Sequence, residues 1–391
     1  MRLRVLHLNF HRGWGGQPAR ILIGSKELAR RGHEIGIAAP GEGALARRAR
    51  EAGLTVFGGF RFYKPKRAVS FARDVIALRR LLDSFLPDIV HSHGSQDTWT
   101  TVAANRLGGP RLPHVLTRHN SKRVACHAAN RDLYGTAIDL LVVVSGGVLE
   151  RYAEFVRRGI LDPKSIPVIP SSIDFPRFDV PTDRTETRRA LGVAPGAPLL
   201  GSFGRLVRDK GHHVLLRAFH ALRREHPGAV LILAGAGTEE APLKRQALDL
   251  GLDASVRFLG FRDDLPALTA ALDVSVLASV DCDASPAVVK EAMYLQRPVV
   301  VTDIGGLREI VKDGITGRIV PPDDPDALAR AIAGLLADPA GASAMGAAAR
   351  EVVRTRYSVA AHADAYERAY ADLLAAARPT RIRHEGPSRD G

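Results

Sequence analysis

The chain has 391 residues, 46% of them hydrophobic, with 55 lysines and arginines against 42 aspartates and glutamates and a net charge of +13. That length exceeds one ordinary core and suits two domains of common size with a cleft between them. Cys126 and Cys282 are the two cysteines. They exclude a disulfide framework and a CxxC metal site, and without a run of about 18 apolar residues there is no membrane-spanning helix.

The N-terminal run MRLRVLHLNF meets His11 and Arg12 at once and reads as a strand, not a signal peptide. A cytoplasmic protein is expected, with any membrane contact peripheral, on the inner face of the cytoplasmic membrane. Strands are predicted over 4–10, 34–39, 88–93, 113–119 and 139–145, alternating with helical patterns as in a parallel sheet with crossovers. HRGWGGQPAR (11–20) follows the first strand. Gly13, Gly15 and Gly16 allow a sharp turn and close backbone approach to a ligand, ahead of a helix predicted over 19–32. RFYKPKRAVSFARDVIALRR (61–80) holds seven basic residues and one acid beside Phe62, Tyr63 and Phe71, a composition suited to an anionic membrane surface. His91, His93 and His119 close predicted strands, where ligands of open α/β sheets gather. Residues 1–180 carry 28 basic and 15 acidic side chains, residues 181–391 carry 27 of each. The first half is therefore expected to meet an anionic partner. The patterns of common nucleic-acid readers are missing, so nucleic acid is not expected.

PRFDVPTDRTETRRALGVAPGAP separates the halves and reads as a linker. PLLGSFG, AVLILAG, SVRFLG, VSVLAS and RPVVVTD then repeat the strand pattern. In GSFGRLVRDKGHH, Arg205 and Lys210 lie between strand and helix, where two cations converge on a diphosphate. GAGTEE (235–240) lacks the third glycine of a dinucleotide fingerprint and reads as a turn lining a nucleotide pocket. In DASPAVVKEAM (283–293), Pro286 stands at a helix entry. Free amides of Ala287, Val288 and Val289 form an anion site there, flanked by Asp283, for sugar hydroxyls, and Glu291, for ribose hydroxyls. A helix is predicted over 358–377, followed by a polar, basic, unstructured tail.

Taken together, these segments resemble family 4 glycosyltransferases of the GT-B fold. D-x7-E, Asp283 to Glu291, stands for the family's E-x7-E within SPAVVKEAMYLQRPVVVTDIGGLREIVKDGITGRIVPPDD. GRLVRDKGH resembles its diphosphate loop, GGQPAR with ELARRGHE its N-terminal glycine loop, and VVVSGGVLERY with VIPSSIDFPRF the close of its first domain. The likeness runs from about residue 3 to 375. It implies two Rossmann-like domains with parallel sheets facing across a cleft. Residues 1–178 would bind the acceptor and 195–357 the nucleotide sugar. The helix of 358–378 would return toward the first domain, and 379–391 would form the tail. It implies retaining transfer of a sugar from a UDP- or GDP-sugar to a hydroxyl of a glycan or lipid-linked acceptor in envelope polysaccharide or lipopolysaccharide synthesis, with no metal and no cofactor. His119 and Asp283 would be catalytic, while Gly15, Gly16, Arg205, Lys210, Ser285, Ala287, Val288, Val289 and Glu291 would bind the donor. The sequence departs from the family at Asp283, one methylene shorter than glutamate, at Ala284 and Ser285, and at Ser171-Ser172 in place of Asn-Gly. Asp283 keeps open an alternative, a non-catalytic nucleotide-sugar-binding or envelope scaffold protein. A nicotinamide-dependent oxidoreductase would need a glycine spacing that HRGWGGQPAR lacks.

Overall fold

The computed structural model describes residues 1–63, 67–281 and 283–377. Two parallel six-stranded sheets are built from successive stretches of the chain. The first holds β1 (Arg4–Leu8), β2 (Glu34–Ala38), β3 (Thr55–Phe57), β4 (Ile89–Ser92), β5 (His114–Arg118) and β6 (Leu140–Val143). The second holds β7 (Leu199–Phe203), β8 (Val230–Ala234), β9 (Val256–Gly260), β10 (Val274–Leu277), β11 (Val299–Thr302) and β12 (Arg318–Val320). The strand orders β3-β2-β1-β4-β5-β6 and β12-β11-β10-β7-β8-β9 are the same doubly wound arrangement twice. In each, the order reverses between two central strands, β1 and β4 or β7 and β10, and opens a crevice at their carboxyl ends.

Both sheets are covered on both faces, so their central strands read as continuous apolar runs. Val5, Ile37, Ile89, Val115 and Val142 centre the first core, and Leu200, Leu231, Leu233, Val276 and Val300 the second. The last helix, Val359–Ala377, crosses back and inserts Ala363, Tyr366 and Tyr370 into the first core. Arg31 fixes it there by ion pairs to Asp364 at 2.5 Å and Glu367 at 2.7 Å.

Three expectations change. The first helix spans Gly16–Arg30 and so begins inside the glycine loop; Pro18 fits its first turn, where no amide donor is needed. The segment read as a linker contains a helix, Arg184–Ala190, capped by the Asp183 side chain on the Glu186 amide. Its charges are structural, since Arg188 binds the Asp273 carboxylate and the Ala271 carbonyl. Of the aromatics proposed to face a membrane, Phe62 is 2% exposed and stacks on Phe60 with ring centres 5.1 Å apart. The buried Asp74 carboxylate pins that turn by accepting the Arg61 and Phe62 amides. Lys64, Pro65 and Lys66 lie outside the described residues, as does the basic tail.

Candidate active site

The site is built from the carboxyl ends of both sheets. On the second domain, the turn Arg208–Lys210 leads into Gly211 at φ +65°. A Cβ there would lie 1.8 Å from the Ala278 carbonyl oxygen, so only glycine lets this loop rest on the end of β10. That approach lays Lys210 Nζ 2.5 Å from Asp283 Oδ2, an oxygen that also accepts from Ser279 Oγ at 2.7 Å. Both partners of the pair are largely buried. Asp283, expected to face sugar hydroxyls, is thus engaged with Lys210, the cation expected to meet the diphosphate. Arg205 is exposed, and its side chain has no hydrogen bond or ion pair among the described residues.

Pro286 precedes the helix Ala287–Tyr294 as its N-cap. The first-turn amides of Ala287, Val288 and Val289 have no carbonyl one turn back to bind, which leaves them free for an anion. Glu291 follows on the second turn, half-buried, with no hydrogen bond of its carboxylate among the described residues. Burial raises its pKa, against Arg177, Lys290 and Arg20. Ser285, expected to bind the donor, is buried, and its hydroxyl meets Ser171 Oγ at 2.9 Å at the domain junction.

The structure adds two cations that the sequence reading passed over. Arg20, from the first domain's opening helix, reaches across to donate to the Ser285 carbonyl. Burial lowers its pKa to about 10, opposed by Asp283, Tyr366 and Glu291, so it remains charged near neutrality while facing both acids of the D-x7-E element. Lys290 is fully buried, with Nζ 2.6 Å from the Ser171 carbonyl and from Ser171 Oγ and 3.0 Å from Ser285 Oγ. Burial and then Arg20 hold its pKa well below the usual lysine value. The visible signal for Lys290 was a lysine among Val289, Ala292 and Met293, on the apolar side of a short helix. Arg20 gave no such signal, because arginines are plentiful in that half. A third junction contact closes the cleft's rim: Glu309 accepts from the Gly146 and Gly147 amides at 3.1 Å each.

Gly15 and Gly16 are exposed, and a Cβ at Gly15 would meet nothing within 4 Å. His119 follows β5, half-buried, with Nε2 3.0 Å from His93 Nδ1; His93 Nε2 in turn lies 3.0 Å from His7 Nδ1. Burial, then Arg20, depresses the His119 pKa well below the ordinary value, which makes it a neutral hydrogen-bonding group at neutral pH. Ligand-type nitrogens of His7, His91 and His93 lie within 4.8 Å of one another. His91, however, spends Nδ1 on Tyr370 and Nε2 on Thr117, both at 2.7 Å, and His7 and His93 share a hydrogen bond. The set reads as a buried polar core in which His7 Nε2 has no protein partner among the described residues, beside a cavity of about 20 Å³, room for one water.

Two sheets of identical winding, facing across a cleft and bridged by a returning helix, define the GT-B class. Residues 14–177 match Glycosyltransferase Family 4, and residues 183–352 match Glycosyl transferases group 1. D-inositol 3-phosphate glycosyltransferase of Corynebacterium urealyticum is 31% identical over 301 residues, 70% of this chain and 69% of the relative. A GDP-mannose-dependent phosphatidylinositol monomannoside mannosyltransferase of Corynebacterium glutamicum is 31% identical over 235 residues, 57% of this chain and 60% of that protein. A counterpart from Mycolicibacterium smegmatis is 37% identical over 46% of this chain and 50% of its own length. The chain thus spans 50 to 60% of these last two relatives. Among solved structures, a glycosyltransferase of Rickettsia africae superposes with a TM-score of 0.82 at 19% identity, covering 95% of this chain and 99% of its own. Anabaena HepE in complex with UDP-glucose gives 0.80 at 23% identity, covering 96% of this chain and 100% of its own. The chain belongs to the family 4 glycosyltransferases.

Proposed function

We propose that the protein transfers a sugar, with retention at the anomeric carbon, from a UDP- or GDP-sugar to a hydroxyl of a glycan or lipid-linked acceptor of the cell envelope, and that it uses no metal to do so. The observation that carries this reading is the convergence of Lys210, Arg20 and the first-turn amides of Ala287–Tyr294 between the two acids Asp283 and Glu291. In this scheme the donor diphosphate takes Lys210 from Asp283. Arg205 and the helix amides complete the anion site, so the leaving group's charge is met by fixed positive dipoles and side chains. Asp283 then turns to the sugar hydroxyls, His119 hydrogen-bonds the sugar as a neutral imidazole, and Glu291 accepts from ribose. Support for a nucleotide-sugar donor comes from the likeness to HepE, solved with UDP-glucose, and to GDP-mannose-dependent enzymes. Support for an envelope acceptor comes from a likeness to the lipopolysaccharide core glycosyltransferase LpsE of Rhizobium meliloti, 35% identical over 46% of this chain and 51% of that protein.

A peripheral membrane contact has a narrower basis than the sequence suggested. No helix among the described residues is long and apolar enough to cross a membrane. The helix Ala68–Phe85 does present Val69, 86% exposed, and Ile76, 46% exposed, beside exposed Arg73 and Arg80. That face suits an anionic lipid surface. The deciding experiment is titration of UDP- and GDP-sugars, followed by nucleotide release with and without acceptor extracts. Lys210→Ala and Glu291→Gln are each expected to lose tenfold or more in donor affinity. Unchanged titrations in both would overturn the assignment, and binding without acceptor-stimulated release would leave the scaffold alternative.

A further inference from the structure

His7 lies in β1, His93 just past β4 and His119 just past β5, and these three strands are neighbours in the first sheet. Their rings form one row across its carboxyl end, joined by two hydrogen bonds of 3.0 Å, His7 Nδ1 with His93 Nε2 and His93 Nδ1 with His119 Nε2. Burial keeps all three rings neutral at neutral pH, so each carries a single N–H. Each ring-to-ring bond needs one hydrogen, so the choice made at one ring fixes the other two. Either every Nε2 is protonated and the N–H groups point from His119 toward His7, or every Nδ1 is protonated and they point back. Both arrangements hold the same number of protons. They differ at the two ends of the row, His7 Nε2 and His119 Nδ1, and these are buried nitrogens without a partner among the described residues. Two features select the first arrangement. His7 and Ser25 line the same cavity of about 20 Å³, and Ser25 Oγ is likewise buried without a partner among the described residues, so one water there can accept from His7 Nε2 and donate to Ser25. At the other end, Arg20 lines the cavity too and acts on His119 more strongly than any other charged group. A cation beside His119 favours a lone pair at the ring's uncommitted nitrogen.

We propose that this row is a tautomer relay in which His7, His93 and one water in the cavity hold His119 in its Nε2–H form, so that His119 offers Nδ1 as an acceptor to a hydroxyl of the donor sugar. His7 and His93 are then positioning residues that act through His119 and touch no substrate. The inference rests on the transferase reading, which puts a sugar beside His119. It also accounts for a histidine in the middle of an otherwise apolar first strand, where His7 is 5% exposed.

Spectra of the full-length protein labelled with nitrogen-15 in the histidine rings test it, because protonated and bare ring nitrogens resonate far apart. Signals are assigned by their loss in His119→Asn, His93→Asn and His7→Gln. In the unaltered protein all three rings are expected to show a protonated Nε2 and a bare Nδ1, and a protonated Nδ1 on His119 would overturn the relay. His7→Phe removes the last acceptor of the row, so the N–H groups should reverse and His119 should become Nδ1–H. His7→Gln keeps an amide oxygen for the His93 N–H and should leave His119 as it was. Titrations with UDP-glucose and GDP-mannose against UDP and GDP read the consequence. In His7→Phe the preference for the sugar nucleotide over the bare diphosphate should fall by about threefold to tenfold, with affinity for the bare diphosphate unchanged, and His7→Gln should restore it. Ser25→Val fills the cavity without altering a ring; it should move His119 partly to Nδ1–H and serves where His7→Phe does not fold. An unmoved His119 tautomer in both Ser25→Val and His7→Phe, or a switched tautomer with unchanged sugar preference, would overturn the proposal. The tautomer pattern is read without donor, which separates it from the transferase reading. Shared tautomers with UDP affinity indifferent to Lys210→Ala would sink that reading alone, and a mixed pattern with UDP affinity lost in Lys210→Ala would sink the relay alone.

Discussion

Lys210 and Asp283 cancel each other's charge at 2.5 Å in a pocket that leaves both mostly buried, so any diphosphate must compete with a carboxylate for its own cation. Asp283→Asn should therefore leave UDP affinity unchanged or raise it a few-fold while turnover with a sugar donor falls by two orders of magnitude or more. Parallel measurement of Kd for UDP and of kcat separates the two effects, and a loss of UDP affinity in the variant would contradict the competition. Lys290 presents the opposite case. Its amine nitrogen meets two serine hydroxyls and a carbonyl at the domain junction, and its removal would leave the Ser171 carbonyl buried without this donor and the two hydroxyls with only each other. Lys290→Met is expected to lower stability by about 3 kcal/mol, measured by urea denaturation. The sequence exposed Asp283, Glu291 and Lys210 through their spacing after apolar runs. It hid the pairing between the first and last of these, because Asp283 and Lys210 are 73 positions apart and meet only across neighbouring strand ends.

At the scale of elements, the donor loops depend on close backbone contact. A Cβ at Gly211 would enter the Ala278 carbonyl, at a φ of +65° that L-residues rarely adopt. Gly211→Ala should cost about 2–3 kcal/mol and displace Lys210, so that nucleotide binding is lost in protein whose circular dichroism stays native. The returning helix buries Ala363, Tyr366 and Tyr370 in the first core, and the Tyr370 hydroxyl also shares a hydrogen bond with His91 Nδ1 at 2.7 Å. Tyr370→Phe should lower stability by about 1–2 kcal/mol, read as a drop in the thermal midpoint. Strands with three or more apolar residues in a row were legible, such as VVVT at β11 and VLILA at β8. The edge strands Thr55–Phe57 and Arg318–Val320, three residues each and partly solvent-facing, have too little pattern to show in a window. The helix Arg184–Ala190 was mistaken for linker because its cap and arginines are charged, which looks the same in a loop until Asp273 is placed opposite.

The whole molecule carries an unusual number of buried neutral histidines. Burial pushes His7 and His114 to about 3 and His212 and His362 to about 4, with His91, His93 and His119 also far below their ordinary value. The unfolded chain takes up protons on these rings near pH 6.5 while the folded chain does not, so each adds up to about 1.4 kcal/mol of lost stability per pH unit as pH falls below 6.5. Stability should be level above pH 7 and drop steeply toward pH 4, read as the urea midpoint against pH, and His7→Phe should flatten the slope. By itself the sequence determined the α/β class with two parallel sheets, the family, and the placing of Lys210 and Asp283 in loops after strands, because hydrophobic period and loop motifs are local properties of the chain. Tertiary structure alone decided the cross-cleft Arg20, the buried Lys290 and the histidine core. Each of these depends on which strand ends become neighbours when the sheets form, and a pairing over many tens of residues leaves no mark in local spacing.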